Sequence, residues 1–317
     1  MGDESRDGVA LTNLDQPLFD GAGATKRDLV DYLDAVSDRI LPELSGRPLS
    51  VIRVTRGQAP FMQKNVPKYT PDWVATAPLW AEASKRTVSY ALCNDRRTLL
   101  WFANQRAIEY HPTLALADQL DHPTHLVLDL DPPSDGDFDR VVAVAHLVRS
   151  ALDSVGLRSA VKTSGAKGVH IVVPVADLAG DDAAAATRAI ARRAEQLDPA
   201  LATTEFMKAD RHGKIFVDAT RTGGATVIAA YSPRARPGVP VSYPVGWAQL
   251  DDVRPIDFTL FTAVDRLGDG NPWADELPEP QVVSADLLAE GHEIPIPRVA
   301  AMHEGKRRAR TTRDSTA

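Results

Sequence analysis

The segment HLVLDLDPP, residues 125–133, has the most informative pattern in this chain. Leu126, Leu128 and Leu130 are separated by single residues, which is the period of a strand with one apolar face. By the same period, Asp129 and Asp131 project together from the other face near the end of the strand, where two prolines stop it. Neighbouring carboxylates raise each other's pKa unless a cation lies between them, and hard oxygen ligands suit Mg²⁺ or Mn²⁺. The pattern predicts a metal site.

Length and composition are those of an ordinary globular protein. The chain has 317 residues, of which 44% are hydrophobic and 25% are charged. It contains no apolar run of the roughly 18 residues that a membrane helix needs. Its N-terminus is polar and acidic, whereas a signal peptide is basic and then apolar. The single cysteine, Cys93, excludes an internal disulfide and a zinc site built from cysteines of this chain alone. We therefore expect a cytoplasmic protein that does not enter a membrane.

Charge is unevenly distributed along the chain. The net charge of −7 argues against indiscriminate binding of nucleic acid. Residues 46–110, however, contain ten Lys or Arg residues and four acidic residues, and residues 306–313 (KRRARTTR) form a basic tail. The first segment is able to face a polyanion, although a solvated surface of mixed charge is the simpler explanation. The tail is predicted to be disordered and able to contact DNA phosphates.

The pattern around the aspartate strand predicts a mixture of strands and helices. Strands are predicted at residues 49–55, 86–91, 98–103, 161–163, 169–173, 215–218 and 226–230, with 86–103 as a hairpin. Helices are predicted at residues 25–44 with Thr25 as N-cap, at 138–155, and at 181–197 with an Asp cap. Residues 61–73 favour a surface loop, and residues 254–299 an extended wrap with one or two short helices. We expect an α/β protein of the α+β kind, with mixed and antiparallel central sheets flanked by helices.

A third carboxylate supports the metal site. Asp218 ends the apolar strand IFVD as Asp129 and Asp131 end theirs. Three strand-end acids can hold two divalent ions about 3.5–4 Å apart, which activates a hydroxyl and neutralises a leaving phosphate in phosphoryl or nucleotidyl transfer. An Asp-x-Asp pair is common, however, and the prolines and the helix that follow also allow a loop or helix-capping role.

Two further segments carry phosphate-binding chemistry. The first is KTSGAKGVH, residues 162–170, in which Ser164 and two glycines allow a tight turn with exposed N–H groups. Lys167 adds a mobile positive charge to this turn. His170 alternates away from the apolar face of the strand that follows. In AAYSPRARPG, residues 229–238, two arginines follow a strand, and each can bind phosphate through a planar fork. A glycine-rich hairpin, a packed core histidine and ordinary surface arginines are the alternatives. The paired acids, the phosphate loop, the third acid and the arginine follow one another in the sequence. This combination indicates phosphate-transfer chemistry far more specifically than any one of the motifs does.

These motifs resemble those of the archaeo-eukaryotic primase superfamily, in which Asp-x-Asp, Ser-Gly-x-x-Gly-x-His and a strand-end Asp follow in that order. Residues 8–265 more closely resemble the polymerase domain of bacterial ligase D, in the blocks TNLDQPLF, KRDLVDYL, GRPLSVIRV, FMQKNVP, IEYHP, LVLDLDPP, TSGAKGVHIVVPV and AAYSPRARPG. The resemblance implies a primase-like catalytic core in a single domain over residues 1–300. This domain would have a DNA-binding part at about 1–120, a catalytic part at about 121–265 and a C-terminal wrap at about 266–300, before the basic tail at 301–317.

The resemblance also implies roles for individual residues. The metal ligands would be Asp129, Asp131 and Asp218, which would bind two Mg²⁺ or Mn²⁺ ions. The nucleotide-binding residues would be Phe61, Arg53, His111, Ser164, Lys167, His170, Arg221 and Arg234. Among these, Ser164, Lys167 and Arg234 would hold the triphosphate, and Phe61 would stack on the base, since a π face accepts any base. The positions that bind the DNA 5′-phosphate downstream of a gap would be Asn13, Lys26 and Gln16.

Two of these positions depart from the pattern of the family. Gln16 stands where the family usually has a lysine for the 5′-phosphate. Arg221 replaces an amide that is often found there, and it adds a cation that is able to contact the triphosphate.

The implied function is that of a DNA repair primase-polymerase. Such an enzyme would add NTP or dNTP to a primer 3′-hydroxyl at short gaps or broken ends of duplex DNA by two-metal nucleotidyl transfer. The chain has no Lys-x-Asp-Gly ligase motif. We therefore expect a stand-alone monomer in the bacterial cytoplasm, associated with the nucleoid when on DNA, with a separate ATP-dependent DNA ligase as its partner. A metal-dependent phosphatase or nuclease, and a non-catalytic scaffold that binds DNA ends, are the alternatives.

Overall fold

A computed structural model of the protein describes residues 4–55, 58–81, 85–134 and 137–296. Within these ranges no helix is long and apolar enough to cross a membrane. The predicted basic tail at 301–317 lies outside the described residues. The strands are β1 (Glu4–Arg6), β2 (Val9–Leu11), β3 (Leu49–Arg53), β4 (Phe61–Gln63), β5 (Thr76–Ala81), β6 (Arg86–Ala91), β7 (Ala107–Pro112), β8 (His125–Asp131), β9 (Ala160–Thr163), β10 (Val169–Pro174), β11 (Ala202–Thr203), β12 (Ile215–Asp218) and β13 (Pro244–Val245). The helices are α1 (Lys26–Ala35), α2 (Ser37–Leu44), α3 (Arg96–Asn104), α4 (Phe138–Asp153), α5 (Gly180–Leu197), α6 (Ala263–Leu267), α7 (Pro272–Glu276) and α8 (Ala285–Glu293).

The chain forms two compact units, each built from segments that are distant in the sequence. The first unit takes residues from 1–122, 160–166 and 226–277. Its main sheet has the strand order β4-β3-β6-β5, and β7 also pairs with β3. The pairings in this sheet are antiparallel. Helix α3 packs against α1 and α2, and both α2 and α3 contact β7. Strands β9 and β13 form a second antiparallel pair in the same unit.

The second unit takes residues from 123–159, 167–225 and 278–317. Strand β8 lies between β10 and β12 and is antiparallel to both, whereas β11 is parallel to β12. Helices α4 and α5 pack on this sheet and on each other, and α8 packs on α5. The contact between α5 and α8 requires Gly291, because a Cβ atom there would lie 2.0 Å from the carbonyl oxygen of Ala185. Each unit therefore has antiparallel strands flanked by helices, as the sequence predicts.

The elements that carry the candidate motifs are confirmed. β8, α4, β10 and β12 occupy the predicted segments. Helix α1 begins after Thr25, whose side chain accepts a hydrogen bond from the N–H group of Asp28 in a capping box. The helix predicted at 25–44 is divided at Val36 into α1 and α2. The division of residues 1–300 into DNA-binding, catalytic and C-terminal parts stays a prediction.

The predicted hairpin at 86–103 is wrong. Strand β6 is present, but its neighbour in the chain is α3, whose N-cap Asp95 accepts a hydrogen bond from the N–H group of Thr98. Residues 99–103 are apolar and all buried. A run that is buried on every side lacks the alternation that separates a strand from a helix. The pairing partner of β6 is instead β5, an element that the sequence pattern did not reveal.

Residues 226–230, predicted as a strand, form an irregular extended segment. The N–H groups of Val227 and Ala229 donate to the carbonyl oxygens of Pro112 and Tyr110 in β7 at 3.2 and 2.9 Å. The bonding is therefore strand-like, although no regular ladder forms.

Three smaller predictions also need correction. Part of the loop predicted at 61–73 is strand β4, which pairs with β3. Helix α5 begins after Ala179, so the predicted aspartate cap is wrong, and two aspartates lie in its first turn instead. The described part of residues 254–299 contains α6, α7, α8 and a 3₁₀ helix at Pro255–Asp257, which is more than the one or two helices predicted.

Replacing Asp95 by Ala tests the helical assignment of α3. The substitution removes the acceptor for the N–H group of Thr98, which lies 2.7 Å from Asp95 Oδ1. We expect the free energy of unfolding, measured by urea denaturation, to fall by about 1 kcal/mol, as for other lost N-caps. Asp95→Asn is the matched control, because it keeps an acceptor and should retain most of the stability. Equal stability of Asp95→Ala and the wild type would contradict a capped helix here.

Candidate functional site

The three candidate acids lie on neighbouring strands of the second unit. The antiparallel register of β8 and β12 places Asp218 opposite Asp129, and Asp131 follows two residues later on β8. Asp129 and Asp218 are only 8% and 5% exposed. Asp218 Oδ1 accepts hydrogen bonds from N and Oγ1 of Thr220 at 2.8 and 2.6 Å, which fix this carboxylate. Strand pairing therefore brings together acids that are far apart in the sequence.

The guanidinium group of Arg221 contacts two of these acids. Its Nη2 lies 3.0 Å from Asp129 Oδ2, and its Nε lies 3.1 Å from the same oxygen and 3.2 Å from Asp218 Oδ2. Burial lowers the pKa of Arg221, but the charges of Asp129, Asp218 and Asp131 more than offset this effect and raise the pKa above its ordinary value. Arg221 is therefore a counter-charge that the chain itself supplies to the acid group.

The surroundings of Asp131 make its carboxyl group harder to ionise. Burial, followed by the charge of Asp129, raises the pKa of Asp131 from 3.8 to about 6, although Arg221 acts in the opposite direction. On β10, His170 is paired with Asp129, and its Nε2 lies 3.2 Å from Asp129 Oδ1. At Asp131, the charge of Arg221 therefore does not fully offset burial and the charges of the neighbouring carboxylates.

The chemistry of the acid group fits a divalent cation. Its carboxylates are hard oxygen donors, and the raised pKa of Asp131 reflects burial and negative charge that a metal ion would relieve. In the ranges that the structure describes, no three His, Cys, Asp or Glu side chains are arranged as a ready metal site. Arg221 already occupies oxygens of Asp129 and Asp218. A metal ion at these two carboxylates would therefore compete with Arg221.

A cleft of about 1000 Å³ adjoins the acids within the second unit. Its lining includes Asp131 and Asp218 together with four cationic side chains, which are Arg188, Lys208, Arg211 and Arg221. The guanidinium of Arg211 lies 3.7 Å from the ring centre of Phe216 and donates to two carbonyl oxygens of the preceding loop. No sequence motif points to Arg211. Its only sequence signal is its position shortly before the strand IFVD.

The end of the predicted phosphate loop lies against the acid strand. A Cβ atom on Gly168 would lie 2.0 Å from the carbonyl oxygen of Leu130 in β8. Gly168 is therefore required by the close approach of β10 to β8, which is a different reason from the turn that the sequence suggested. Lys167, the cation of this loop, is half-buried.

In the first unit, Glu109 contacts two of the predicted nucleotide-binding residues, and one of these contacts a third. Nη1 of Arg234 donates to the carbonyl oxygen of Ser164 at 2.7 Å, and its Nε lies 3.3 Å from Glu109 Oε2. Nε2 of His111 lies 2.8 Å from the same carboxylate oxygen. Burial alone would raise the pKa of Glu109, but His111 and Arg234 lower it to about 2. Glu109 is therefore ionised at neutral pH and orients both partners.

The backbone of the phosphate loop also explains why this cluster is tight. Gly165 has a φ of +66°, and a Cβ atom there would lie 2.7 Å from Cγ of Arg234 and 2.8 Å from the backbone N of Ser242. Glu109 is not among the predicted site residues, although it lies two residues before His111 in the block IEYHP.

Arg53 and Phe61 are opposite each other on β3 and β4 of the first unit. Arg53 donates to the carbonyl oxygen of Gln105 at 2.9 Å, to Gln63 Oε1 at 2.8 Å and to the hydroxyl of Tyr69 at 3.0 Å. Its guanidinium lies 5.8 Å from the ring centre of Phe61, which is 39% exposed. The ring of Phe61 therefore offers an aromatic surface to solvent beside a fixed cation.

The three residues predicted at the 5′-phosphate differ in exposure. Asn13 and Gln16 are exposed, and Asn13 has a φ of +54°. Lys26 is the first residue of α1 and is only 3% exposed. Its Nζ donates to the carbonyl oxygen of Thr12 and to Oδ1 of Asn104, the latter at 2.6 Å. Lys26 thus anchors the segment that contains Asn13.

Comparisons with known proteins find similar sequences over most of this chain. A family model described as LigD, primase-polymerase domain, matches residues 25–273. The bifunctional non-homologous end joining protein LigD of Bacillus subtilis is 35% identical over 281 residues, which cover 86% of this chain and 45% of that protein. The multifunctional non-homologous end joining DNA repair protein LigD of Mycobacterium tuberculosis is 34% identical over 284 residues, which cover 85% of this chain and 37% of that protein. The chain thus spans less than half the length of these two relatives.

A solved structure extends the likeness to the fold. The polymerase domain from Mycobacterium tuberculosis ligase D in complex with DNA superposes with a TM-score of 0.77 at 32% sequence identity. The match covers 85% of this chain and 97% of that domain. The predicted fold, an α/β protein with a primase-like catalytic core, is confirmed.

Arg221→Gln tests the role of Arg221 as an internal counter-charge. Without the guanidinium, the carboxylates of Asp129 and Asp218 repel each other. The free energy of unfolding of the metal-free protein should therefore fall by about 1 kcal/mol, and its melting temperature by about 2–4 °C. The rise in melting temperature on adding Mn²⁺ should exceed that of the wild type, because the ion no longer competes with Arg221. Differential scanning fluorimetry, in EDTA and then in Mn²⁺, measures both effects.

The matched control for this experiment is Arg192→Gln. Arg192 is exposed on α5 and pairs with Glu195, so its loss changes the net charge equally without touching the acids. If Arg221→Gln and Arg192→Gln give the same two melting temperatures, Arg221 is not the counter-charge of the acid group.

Proposed function

This chain belongs to the family of LigD primase-polymerase domains, and we propose that it adds nucleotides to a primer 3′-hydroxyl at short gaps or broken ends of duplex DNA during repair. The observation that carries the proposal is the pairing of β8 with β12, which joins Asp129, Asp131 and Asp218 in one acid group. A cleft with four cationic side chains adjoins this group. Nucleotidyl transfer needs both features, because metal ions require oxygen donors and phosphates require positive charge.

Asp129, Asp131 and Asp218 are the proposed ligands of two Mg²⁺ or Mn²⁺ ions. When bound, such ions supply charge that activates the primer 3′-hydroxyl and neutralises the leaving phosphate. The protein's own part is to fix the carboxylates. Thr220 holds Asp218 through two hydrogen bonds, and His170 contacts Asp129. Arg221 compensates part of the negative charge until phosphate or metal arrives.

Ser164, Lys167 and Arg234 are the proposed ligands of the incoming triphosphate, with His111 near the sugar and phosphates. Arg234 suits this role because a guanidinium offers a planar pair of donors to phosphate oxygens. Its orientation is held by the ionised carboxylate of Glu109 and by the carbonyl oxygen of Ser164. Glu109 is thus a positioning residue for Arg234 and His111.

Phe61 is the proposed stacking surface for the incoming base, and Arg53 a supporting cation beside it. An aromatic face binds any base with similar strength, which suits an enzyme that must copy every template. The contacts of Arg53 with Gln105, Gln63 and Tyr69 fix the guanidinium, so that little side-chain freedom is lost when a nucleotide binds.

The proposed substrates are duplex DNA and nucleotides, and the proposed partner is a DNA ligase. The Mycobacterium tuberculosis domain was solved with DNA, and we extend this to gapped or broken duplex DNA as the substrate here. Both NTP and dNTP would be accepted, and the protein would act as a monomer. Filling a gap leaves a nick, so a separate ATP-dependent DNA ligase would complete repair on the nucleoid in the bacterial cytoplasm.

A gapped-primer assay tests the function against its alternatives. The protein is incubated with Mn²⁺, nucleotides and a gapped duplex that carries a labelled primer and a 5′-phosphate beyond the gap. Elongation of the primer by the length of the gap is the expected result. Shortened strands would instead favour a nuclease, loss of the 5′-phosphate a phosphatase, and binding without any chemical change a scaffold.

Asp131→Asn is expected to reduce the rate of primer extension at least about a thousandfold, because a metal ligand contributes several kcal/mol to the stabilisation of the reacting charge. The variant should stay folded, since removing one of three neighbouring carboxylates relieves repulsion. Asp153→Asn is the control, because Asp153 is exposed at the end of α4. Extension by Asp131→Asn at a rate near that of the wild type would rule out the acid group as the catalytic centre.

Phe61→Ala is expected to raise the KM for the incoming nucleotide about tenfold while kcat changes little, since a stacked base gains about 1–3 kcal/mol. Met62→Ala is the matched control. Met62 is the next residue on β4 and is similarly exposed, at 46%, but it projects to the opposite side of the strand. Steady-state kinetics with each nucleotide measure the effect. An equal rise in KM for both variants would argue against stacking on Phe61.

A further inference from the structure

Two cations of the first unit, Lys26 and Arg106, are held close together by neutral groups. Nζ of Lys26 donates to the carbonyl oxygen of Thr12 and to Oδ1 of Asn104. Nη2 of Arg106 donates to the carbonyl oxygens of residues 17 and 18, and its Nη1 lies 3.3 Å from Oε1 of Gln16. We name Lys26 and Arg106 the basic pair.

The charge of the basic pair is not compensated by the part of the chain that the structure describes. Burial, and then the charge of Arg106, lowers the pKa of Lys26 to about 8, and burial lowers the pKa of Arg106. No carboxylate contributes to either shift. Nε of Arg106 is buried without a hydrogen-bond partner among the described residues. Two neighbouring cations that lack an anion repel each other, so binding an anion here is favourable.

The basic pair is also reachable from solvent on one side. Gln16 is exposed, and its contact with Nη1 of Arg106 lies at the surface. An anion that displaces the amide of Gln16 would meet the guanidinium directly and would lie near the charge of Lys26. A phosphate monoester suits this arrangement, because it carries close to two negative charges and its oxygens can accept a hydrogen bond from Nη1 of Arg106.

We propose that Arg106 is the main anchor of the DNA 5′-phosphate downstream of the gap, in place of the lysine that the family usually has at the position of Gln16. This inference rests on the proposed function, since it takes a gapped DNA as the ligand. The cation is supplied by the turn after α3 instead of by the N-terminal segment, and Gln16 and Arg106 meet at the same point. Lys26, whose pKa the charge of Arg106 lowers, adds a second positive charge nearby.

Arg106 also has a structural role, which the experiment must distinguish from phosphate binding. Its hydrogen bonds to the carbonyl oxygens of residues 17 and 18 also hold the N-terminal segment. Its φ of +61° lies in a region that side chains rarely adopt, so the substitution should keep a long unbranched side chain. Arg106→Gln removes the charge and keeps hydrogen-bonding groups, whereas Arg106→Lys keeps the charge.

The measurement is binding of a labelled gapped duplex with a 5′-phosphate or a 5′-hydroxyl beyond the gap. Fluorescence anisotropy in EDTA without nucleotide gives both dissociation constants, and their ratio reports recognition of the phosphate. We expect the wild type to prefer the phosphate, and Arg106→Gln to reduce that preference about tenfold. Arg106→Lys should retain most of it. Gln16→Lys in the Arg106→Gln background should restore it, because the cation then returns to the same point from the other segment.

Arg192→Gln is again the control for a lost positive charge and should leave the ratio unchanged. The inference is overturned if Arg106→Gln weakens the binding of both duplexes equally, because Arg106 would then be a purely structural residue. In that case the ratio of the two dissociation constants stays at the wild-type value. Failure of Gln16→Lys to restore the preference would also overturn it. The assay contains no nucleotide, so its outcome is distinct from failure of the proposed function, which would appear as absence of primer extension.

Discussion

The antiparallel pairing of β8 with β12 is the interaction on which the candidate site depends. Its register sets Asp218 directly opposite Asp129, and the two-residue period of β8 brings Asp131 to the same face. A shift of one residue would turn the acids of one strand into the apolar layer, where an unpaired carboxylate is very costly. The apolar faces of the strands and the helices α4 and α5 that cover them therefore hold the acids in register.

Compensation of charge differs among the three polar clusters, and this difference agrees with their proposed roles. The acid group has Arg221 as a partial counter-charge and retains repulsion at Asp131. In the cluster around Glu109, the chain itself supplies the counter-charge, because the buried carboxylate faces Arg234 beside His111. The basic pair has two cations and only neutral acceptors. A cluster whose charge the chain does not compensate is stabilised most by a ligand of opposite charge. A cluster whose charge the chain does compensate mainly fixes the orientation of its side chains.

Much of the fold and of the site could be predicted from local pattern. The strand that carries Asp129, the capped start of α1 and the strand that ends at Asp218 were predicted at their observed places. Helix α3 was predicted as a strand because its central residues are buried on every side and show no period. Residues 226–230 were predicted as a strand because they are apolar, yet their bonding to β7 is irregular. Strand β5 is absent from the predicted strands, because the predicted hairpin pairs its partner β6 with residues 98–103.

Sequence alone predicts the candidate residues of the site, because spacing along a strand and the residues of a turn are local properties. It identified the three acids, the phosphate loop and the departure at Gln16, and through these motifs the family. Which of these residues contact one another follows from the tertiary structure. The contacts of Arg221 with two aspartates, of Glu109 with Arg234, and of Arg106 with Gln16 depend on strand register and on turns between distant segments. Such contacts join residues far apart in the chain, and no local pattern encodes the distance between their side chains.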